Sequence, residues 1–191
     1  MVTRILGIDP GSRITGFGII EIHKHHQKYI TSGCIRLKSS CANENLNQIF
    51  SAIQTVIEKY SPHEAAIEQI FMHNNPGSAI KLGQARGAAI VAMTQKGLTV
   101  SQYSARQIKQ SVVGYGAAKK EQVQHMICKL LNLTGQPQAD AADALAVAIC
   151  HANSRGLGNI LNITGLRHGR LRNDRAITRN SSRKTTAEFV D

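Results

Sequence analysis

The sequence predicts an α/β fold around a mixed β-sheet, and three features carry that expectation. Three strand-like segments follow one another near the N-terminus, joined by connections too short for a crossover, so they pair antiparallel. A long amphipathic helix then precedes a fourth strand, which leaves enough chain for that strand to run parallel to the first. Late in the chain, Leu145 to Ile149 make a helix too apolar for a surface position.

Each element has its own signal. Ile5, Leu6 and Ile8 form a short apolar run stopped by Pro10-Gly11, which reads as a buried strand. Thr15–Ile22 and Tyr29–Leu37 are the next strands, with polar Lys24 to Lys28 as a hairpin loop. His23, His25 and His26 fall at that loop and read as a solvated tip, because no ligand spacing accompanies them. From Asn43 to Tyr60, Leu46, Ile49, Phe50, Ile53, Val56 and Ile57 recur at helical spacing, and Ser61-Pro62 ends the run. Ala65 to Phe71 is the fourth strand and Met72–Ser78 a polar loop. Ala79–Gln95 is a helix rich in glycine and alanine, fit for close packing against a helix, the sheet or a second subunit. Leu98–Val100 is a short strand, and Ser104 caps a helix to Val112. Glu121–Leu133 is helical, with Val123, Ile127, Leu130 and Leu131 expected to be buried. The last core helix runs from Ala139 to about Asn153. Beyond it, glycines and a run of arginines define a basic, disordered tail, so the expected division is a folded domain over 1–154 and a tail over 155–191.

A net charge of +11 points to a polyanionic partner, nucleic acid before an anionic membrane surface. No apolar stretch is long enough to span a bilayer, and the opening residues do not read as a secretory leader, so a cytoplasmic location is expected. Four scattered cysteines without C-x-x-C spacing read as reduced thiols. With 4% aromatics and no Trp, serial base stacking on a single strand is not expected.

Four carboxylates carry the chemistry. Asp9 stands where the first strand ends, which by itself is also what an Asp-Pro-Gly turn would show. Glu68 lies inside the fourth strand, and parallel pairing of the two strands brings it to the same sheet end. Asp140 and Asp143 are three residues apart, about 60° around a helix axis, at the end where the helix dipole favours acids. Four acids brought together repel unless cations neutralise them. Oxygen donors without Cys or His suit Mg²⁺ or Mn²⁺. Two such ions about 4 Å apart activate a water and stabilise the leaving oxygen in phosphodiester hydrolysis. Lys119 or Lys120 is placed to neutralise charge on the phosphate.

The strings GIDPGSRITGFGII, AIEQIFMHNNPGSAIKLGQARG, RQIKQSVVGYGAAKKEQVQHMI and PQADAADALAVAI resemble the RuvC family of Holliday-junction resolvases, in order, over about residues 3 to 153. The resemblance implies an RNase H-like fold with a five-stranded mixed sheet flanked by helices. It implies a homodimer that nicks two opposing strands of a four-way junction symmetrically, leaving 5′-phosphate ends, in recombination and repair. By the same resemblance Asp9, Glu68, Asp140 and Asp143 are the metal-binding catalytic acids, with Mg²⁺ as cofactor and Mn²⁺ as a substitute. Phe71 matches an aromatic that stacks at the junction centre, and Lys109 and Lys120 match basic residues used in binding or cleavage. Family members cooperate with a branch-migration motor of RuvA- and RuvB-type subunits. The Lys119-Lys120 pair leaves open which lysine acts at the phosphate, and the tail matches nothing in the family pattern.

Other readings start from the same residues. The Gly-Ile-Asp-x-Gly opening also occurs in sugar kinases and actin-like ATPases, but those need a second domain and further glycine-rich motifs that this chain lacks. A YqgF-type domain shares the first strand and the acids, but not the Phe71 segment and the QADAADALA helix. A junction-binding module without catalysis would not need all four acids.

Overall fold

The computed structural model describes residues 2–24, 26–70 and 76–164 of the 191. Phe71, His25 and the chain after residue 164 lie outside the described residues. The strands are β1 (Val2–Asp9), β2 (Ile14–His23), β3 (His26–Arg36), β4 (Glu64–Glu68) and β5 (Val100–Tyr103). The helices are α1 (Ala42–Tyr60), α2 (Pro76–Gln95), α3 (Ala105–Val113), α4 (Lys120–Leu130) and α5 (Ala139–Thr164). The sheet has five strands in the order β3-β2-β1-β4-β5. The first three are antiparallel, while β4 runs parallel to β1 and β5 parallel to β4, which the helix-containing connections allow.

Side chains alternate across the sheet and sort into two cores. Leu6, Ile8, Ile19, Ala65 and Ile67 pack against α1 and α2. Ile5, Ile20 and Ala66 face α3, α4 and α5. The helical spacing read in α1 holds, with Ile49, Ile53 and Ile57 buried. The Ser104 cap forms a full capping box: its hydroxyl accepts from the Gln107 N–H while the Gln107 side chain accepts from the Ser104 N–H.

Three glycines set how closely α5 lies on the sheet. A methyl group at Gly7 would stand 2.1 Å from the Ala144 carbonyl oxygen, and one at Gly16 would stand 1.9 Å from that of Asp140. One at Gly18 would stand 2.7 Å from Leu145 Cδ2. Ala141, Ala144 and Ala148 supply the matching thin face of α5, all buried. Farther along α5, a polar chain ties the helix to β4 and β5. Tyr103 Oη donates to His151 Nδ1 at 2.8 Å, and His151 Nε2–H donates to Glu64 Oε2 at 2.8 Å. Arg155 Nε reaches the same oxygen at 2.7 Å. This pattern requires neutral His151, and burial lowers its pKa in spite of Glu64.

Several boundaries differ from the sequence expectations. β2 and β3 run on to His23 and from His26, so the hairpin tip is tighter than Lys24 to Lys28. Lys24 takes the left-handed conformation there, at φ 57°. β4 stops at Glu68 and β5 occupies Val100–Tyr103, after Leu98 instead of beginning at it. α2 starts at Pro76, since proline at a first helical position costs no hydrogen bond. Leu130 is 43% exposed, while Leu131 just past it is buried. α5 continues to Thr164 through the boundary drawn after residue 154. Gly156 and Gly158 do not stop it, because a helical glycine costs only about 1 kcal/mol and lacks the steric veto of proline.

The glycine contacts give a direct test. Gly7→Ala should lower stability by about 1–3 kcal/mol through overpacking, a fall of roughly 2–4 °C in Tm for each kcal/mol at this chain length. Gly135→Ala, where a methyl meets nothing within 4 Å, should cost nothing. Equal thermal melts for Gly7→Ala and the parent would show that α5 does not need this approach.

Candidate active site

Asp9 is the last residue of β1 and Glu68 the last of β4. The parallel register pairs Ile8 with Ile67, so the two carboxylates come off neighbouring strands at one sheet end. Alternation puts both on the α5 side, in line with Ile5 and Ala66. The turn after Asp9 is held by buried Thr15, whose hydroxyl accepts from the Gly11 N–H and donates to the Gly11 carbonyl. Asp140 and Asp143 occupy the first turns of α5. The Gly16 contact seats the Asp140 backbone directly on β2, at the residue paired with Asp9.

The four acids act on one another. Burial first, then the charges of Glu68, Asp143 and Asp140, push the Asp9 pKa from its usual 3.8 up to about 8, with Lys120 pulling it down. Glu68 is raised as well, by burial and then Asp143, and is eased by Lys109 and Lys120. Lys120 Nζ lies 2.7 Å from Asp143 Oδ2, and that hydrogen bond is the main reason its own pKa is raised. Geometry therefore separates the two lysines. Lys120, at the first position of α4, is on the acids. Lys119 is the exposed cap residue, whose backbone N–H donates to Gln122 Oε1 at 2.9 Å. Lys109 is half-buried on α3 and close enough to Glu68 to act on its charge.

The donors are hard carboxylate oxygens in a site that raises the free energy of its own charges, which is the chemistry of a divalent-cation site. As the side chains stand, no three described His, Cys, Asp or Glu groups converge closely enough to hold a metal ion. The Lys120 ammonium rests on Asp143, one of the four acids. A cavity of about 200 Å³ opens beside the acids, lined by Asp9, Pro10, Glu68, Leu82 and Ala105. A larger open cleft of about 700 Å³ runs between β3 and the 131–138 segment and is lined by none of the four acids.

Sequence reasoning missed two contributors. Arg86 on α2 donates from Nε to the Glu68 carbonyl at 3.2 Å and from a terminal nitrogen to Gln102 Oε1 at 2.6 Å, which fixes the end of β4. An arginine midway along a helix rich in glycine and alanine was its available signal. The glycines of β1 and β2 were the other, with Gly7, Gly16 and Gly18 all on the side of the acids.

A family model for "Crossover junction endodeoxyribonuclease RuvC" matches residues 5–151. The protein of that name from Psychromonas ingrahamii is 61% identical over 150 residues, 78% of this chain and 87% of that protein. Its counterpart from Pseudoalteromonas atlantica is 57% identical over 161 residues, 84% of this chain and 92% of that protein. Among solved structures, T. thermophilus RuvC in complex with Holliday junction substrate superposes with a TM-score of 0.77 at 31% identity. That match covers 82% of this chain and 96% of the other. The yeast mitochondrial Holliday junction resolvase Ydc2 shares the fold at 13% identity, with a TM-score of 0.62 over 85% of this chain and 84% of the other. Fold and site together define an RNase H-like protein with an acidic centre at the end of its first strand. More narrowly, the chain belongs to the crossover junction endodeoxyribonuclease RuvC family.

The raised Asp9 pKa has a consequence for stability. Between its usual 3.8 and about 8 the folded chain keeps a proton that the unfolded chain has released. Stability in chelator should therefore fall as pH rises across that window and level off above it. Asp9→Asn should remove this penalty and melt higher than the parent at pH 8 in chelator, by roughly 2–4 °C for each kcal/mol gained. A lower melting temperature for the variant would mean that the Asp9 carboxylate is not penalised by its burial and its acidic neighbours.

Proposed function

We propose that this chain is a Holliday-junction resolvase, which nicks two opposing strands of a four-way DNA junction in recombination and repair. One observation carries the reading: in a chain of this family, Asp9, Glu68 and the α5 acids Asp140 and Asp143 come from three separate elements to one sheet end beside an open cavity. Asp9, Glu68, Asp140 and Asp143 hold two Mg²⁺ ions, which Mn²⁺ replaces. Bound there, the ions supply an activated water and stabilise the leaving oxygen. The protein's own part is to fix four oxygen-donor side chains on rigid elements, so that little reorganisation accompanies the reaction. Lys120 neutralises charge on the scissile phosphate. Lys109 and Lys119 contact the DNA backbone, consistent with the excess of basic residues. Phe71, outside the described residues, stacks at the junction centre.

Symmetric cleavage calls for two copies of the site, and α2 offers the surface for a homodimer. Its inner face buries Ala85, Ala89, Ala92 and Met93. Its outer face carries Ile80 and Val91, 63% and 55% exposed, with Gly83 and Gly87 between them and open space over both glycines. This small-xxx-small stripe lets a second helix approach closely, and a two-fold axis makes the patch self-complementary. A branch-migration motor with RuvA- and RuvB-type subunits is the further partner, and the setting is cytoplasmic. No helix among the described residues is long and apolar enough to cross a membrane.

Two experiments test this reading. On a labelled four-way junction beside a linear duplex of the same sequence, the protein should make paired, symmetric nicks in the junction alone, in Mg²⁺ and not in chelator. Asp9→Asn should keep junction binding and lose nicking. Equal nicking of the duplex would overturn the junction assignment. For the dimer, Gly83→Leu and Gly87→Leu should still fold, since leucine is the better helix former by up to about 1 kcal/mol. Both should nonetheless elute as monomers in light-scattering chromatography, and an intact dimer in both would move the interface off α2.

A further inference from the structure

Among the described residues, the Lys120–Asp143 contact is the only ion pair made by any of the four acids. Its setting is unusual for a lysine. Lys120 is the first residue of α4, where the positive end of the helix dipole disfavours a cation. A charge held against its own helix is being held by something else, and the nearest opposite charge is Asp143 Oδ2, 2.7 Å away. The pair is also easy to release. The lysine side chain is 52% exposed and the aspartate 26%, and solvent-exposed pairs contribute little net stability. Its long stem leaves the ammonium free to swing through solvent without any movement of α4.

We propose that Lys120 is a displaceable counterion of the acid cluster. Its ammonium occupies Asp143 in the metal-free protein, competes with a divalent cation for that carboxylate, and is released by cation binding towards the phosphate-facing side of the site. This rests on the reading of the four acids as a metal centre, and it adds a second duty for the lysine before any DNA is present. The device serves two ends. It lowers repulsion among four acids while no metal is bound, and it makes the ammonium available for a phosphate only once the metal site is filled.

The test uses the full chain without DNA, with Mn²⁺ binding followed by calorimetry or electron paramagnetic resonance. Lys120→Gln removes the competitor and should bind Mn²⁺ about three- to tenfold more tightly than the parent. Lys120→Arg keeps the charge but grips a carboxylate through two parallel hydrogen bonds, so it should bind Mn²⁺ more weakly than the parent. Simple repulsion would make Arg and Lys equivalent. Lys119→Gln is the control for net charge and should change little. In parallel, the ¹⁵N signal of the Lys120 ammonium, coupled to Asp143 in chelator, should lose that coupling on saturation with Mg²⁺. Unchanged Mn²⁺ affinity in Lys120→Gln, equal affinity in Lys120→Arg and the parent, or an ammonium signal indifferent to Mg²⁺ would each overturn the proposal while the metal centre stood. A parent protein that bound no divalent cation would overturn both.

Discussion

The site depends on how closely α5 can lie on β1 and β2. Helix and strand backbones do not normally meet, because a Cβ on the strand holds the helix away. Here Gly7, Gly16 and Gly18 remove that obstacle on one side and Ala141, Ala144 and Ala148 thin the other. The gain is positional. Asp140 and Asp143 belong to a helix far along the chain, and Asp9 to the first strand, so nothing local sets their separation. It is set by the depth at which α5 beds down. A side chain at Gly16 would lift the very peptide that carries Asp140. Farther along, the Tyr103–His151–Glu64–Arg155 chain pins the same helix to β4 and β5, so α5 is fixed both in depth and along its length.

That precision is achieved against electrostatic resistance. Burial at the sheet end, and then the charges of the other acids, raise the pKa of Asp9 to about 8 and raise Glu68 too. A site built only for stability would place apolar residues at this sheet end, as both cores do a few ångströms below. Local destabilisation that the rest of the fold outweighs is what a centre selected for chemistry looks like. The hydrophobic layers on both faces of the sheet supply the surplus, and Lys109 and Lys120 reduce the deficit.

Much of this was legible in the sequence, for physical reasons that differ by element. α1 was readable because its apolar residues follow one helical stripe, and α3 because Ser104 is a strong cap residue at its start. The parallel partnership of β1 and β4, and so the meeting of Asp9 with Glu68, was open to the sequence because the connection through α1 is long enough for a crossover. What was not legible depends on tertiary contact. Gly7, Gly16 and Gly18 look like turn or strand-weakening residues until the helix that lies on them is known. Leu130 and Leu131 both fit an apolar face, and only the packing decides that the second is buried. The run of α5 past Asn153 was hidden because glycine discourages a helix without forbidding it. That Lys120 and not Lys119 reaches Asp143 turns on one residue of helix phase, beyond the reach of periodicity.

α2 joins the acid centre to the proposed dimer surface, and the join is mechanical. Arg86 sits on the helix whose outer face carries Ile80, Gly83, Gly87 and Val91, and its guanidinium reaches the Glu68 carbonyl and Gln102. The end of β4 is thus braced from the helix as well as by its neighbours in the sheet. Leu82 of the same helix lines the cavity beside Asp9 and Glu68. A second copy seated on α2 would restrain the element that holds one of the four acids. Packed helices shift as units and do not deform continuously, so that restraint would reach Glu68 through Arg86 with little loss. In a monomer, α2 packs against α1 and one face of the sheet, and its other face, with Ile80 and Val91, is exposed. An enzyme that must cut two strands as a pair would gain from such an arrangement, because the proposed contact between two copies would also stiffen each site.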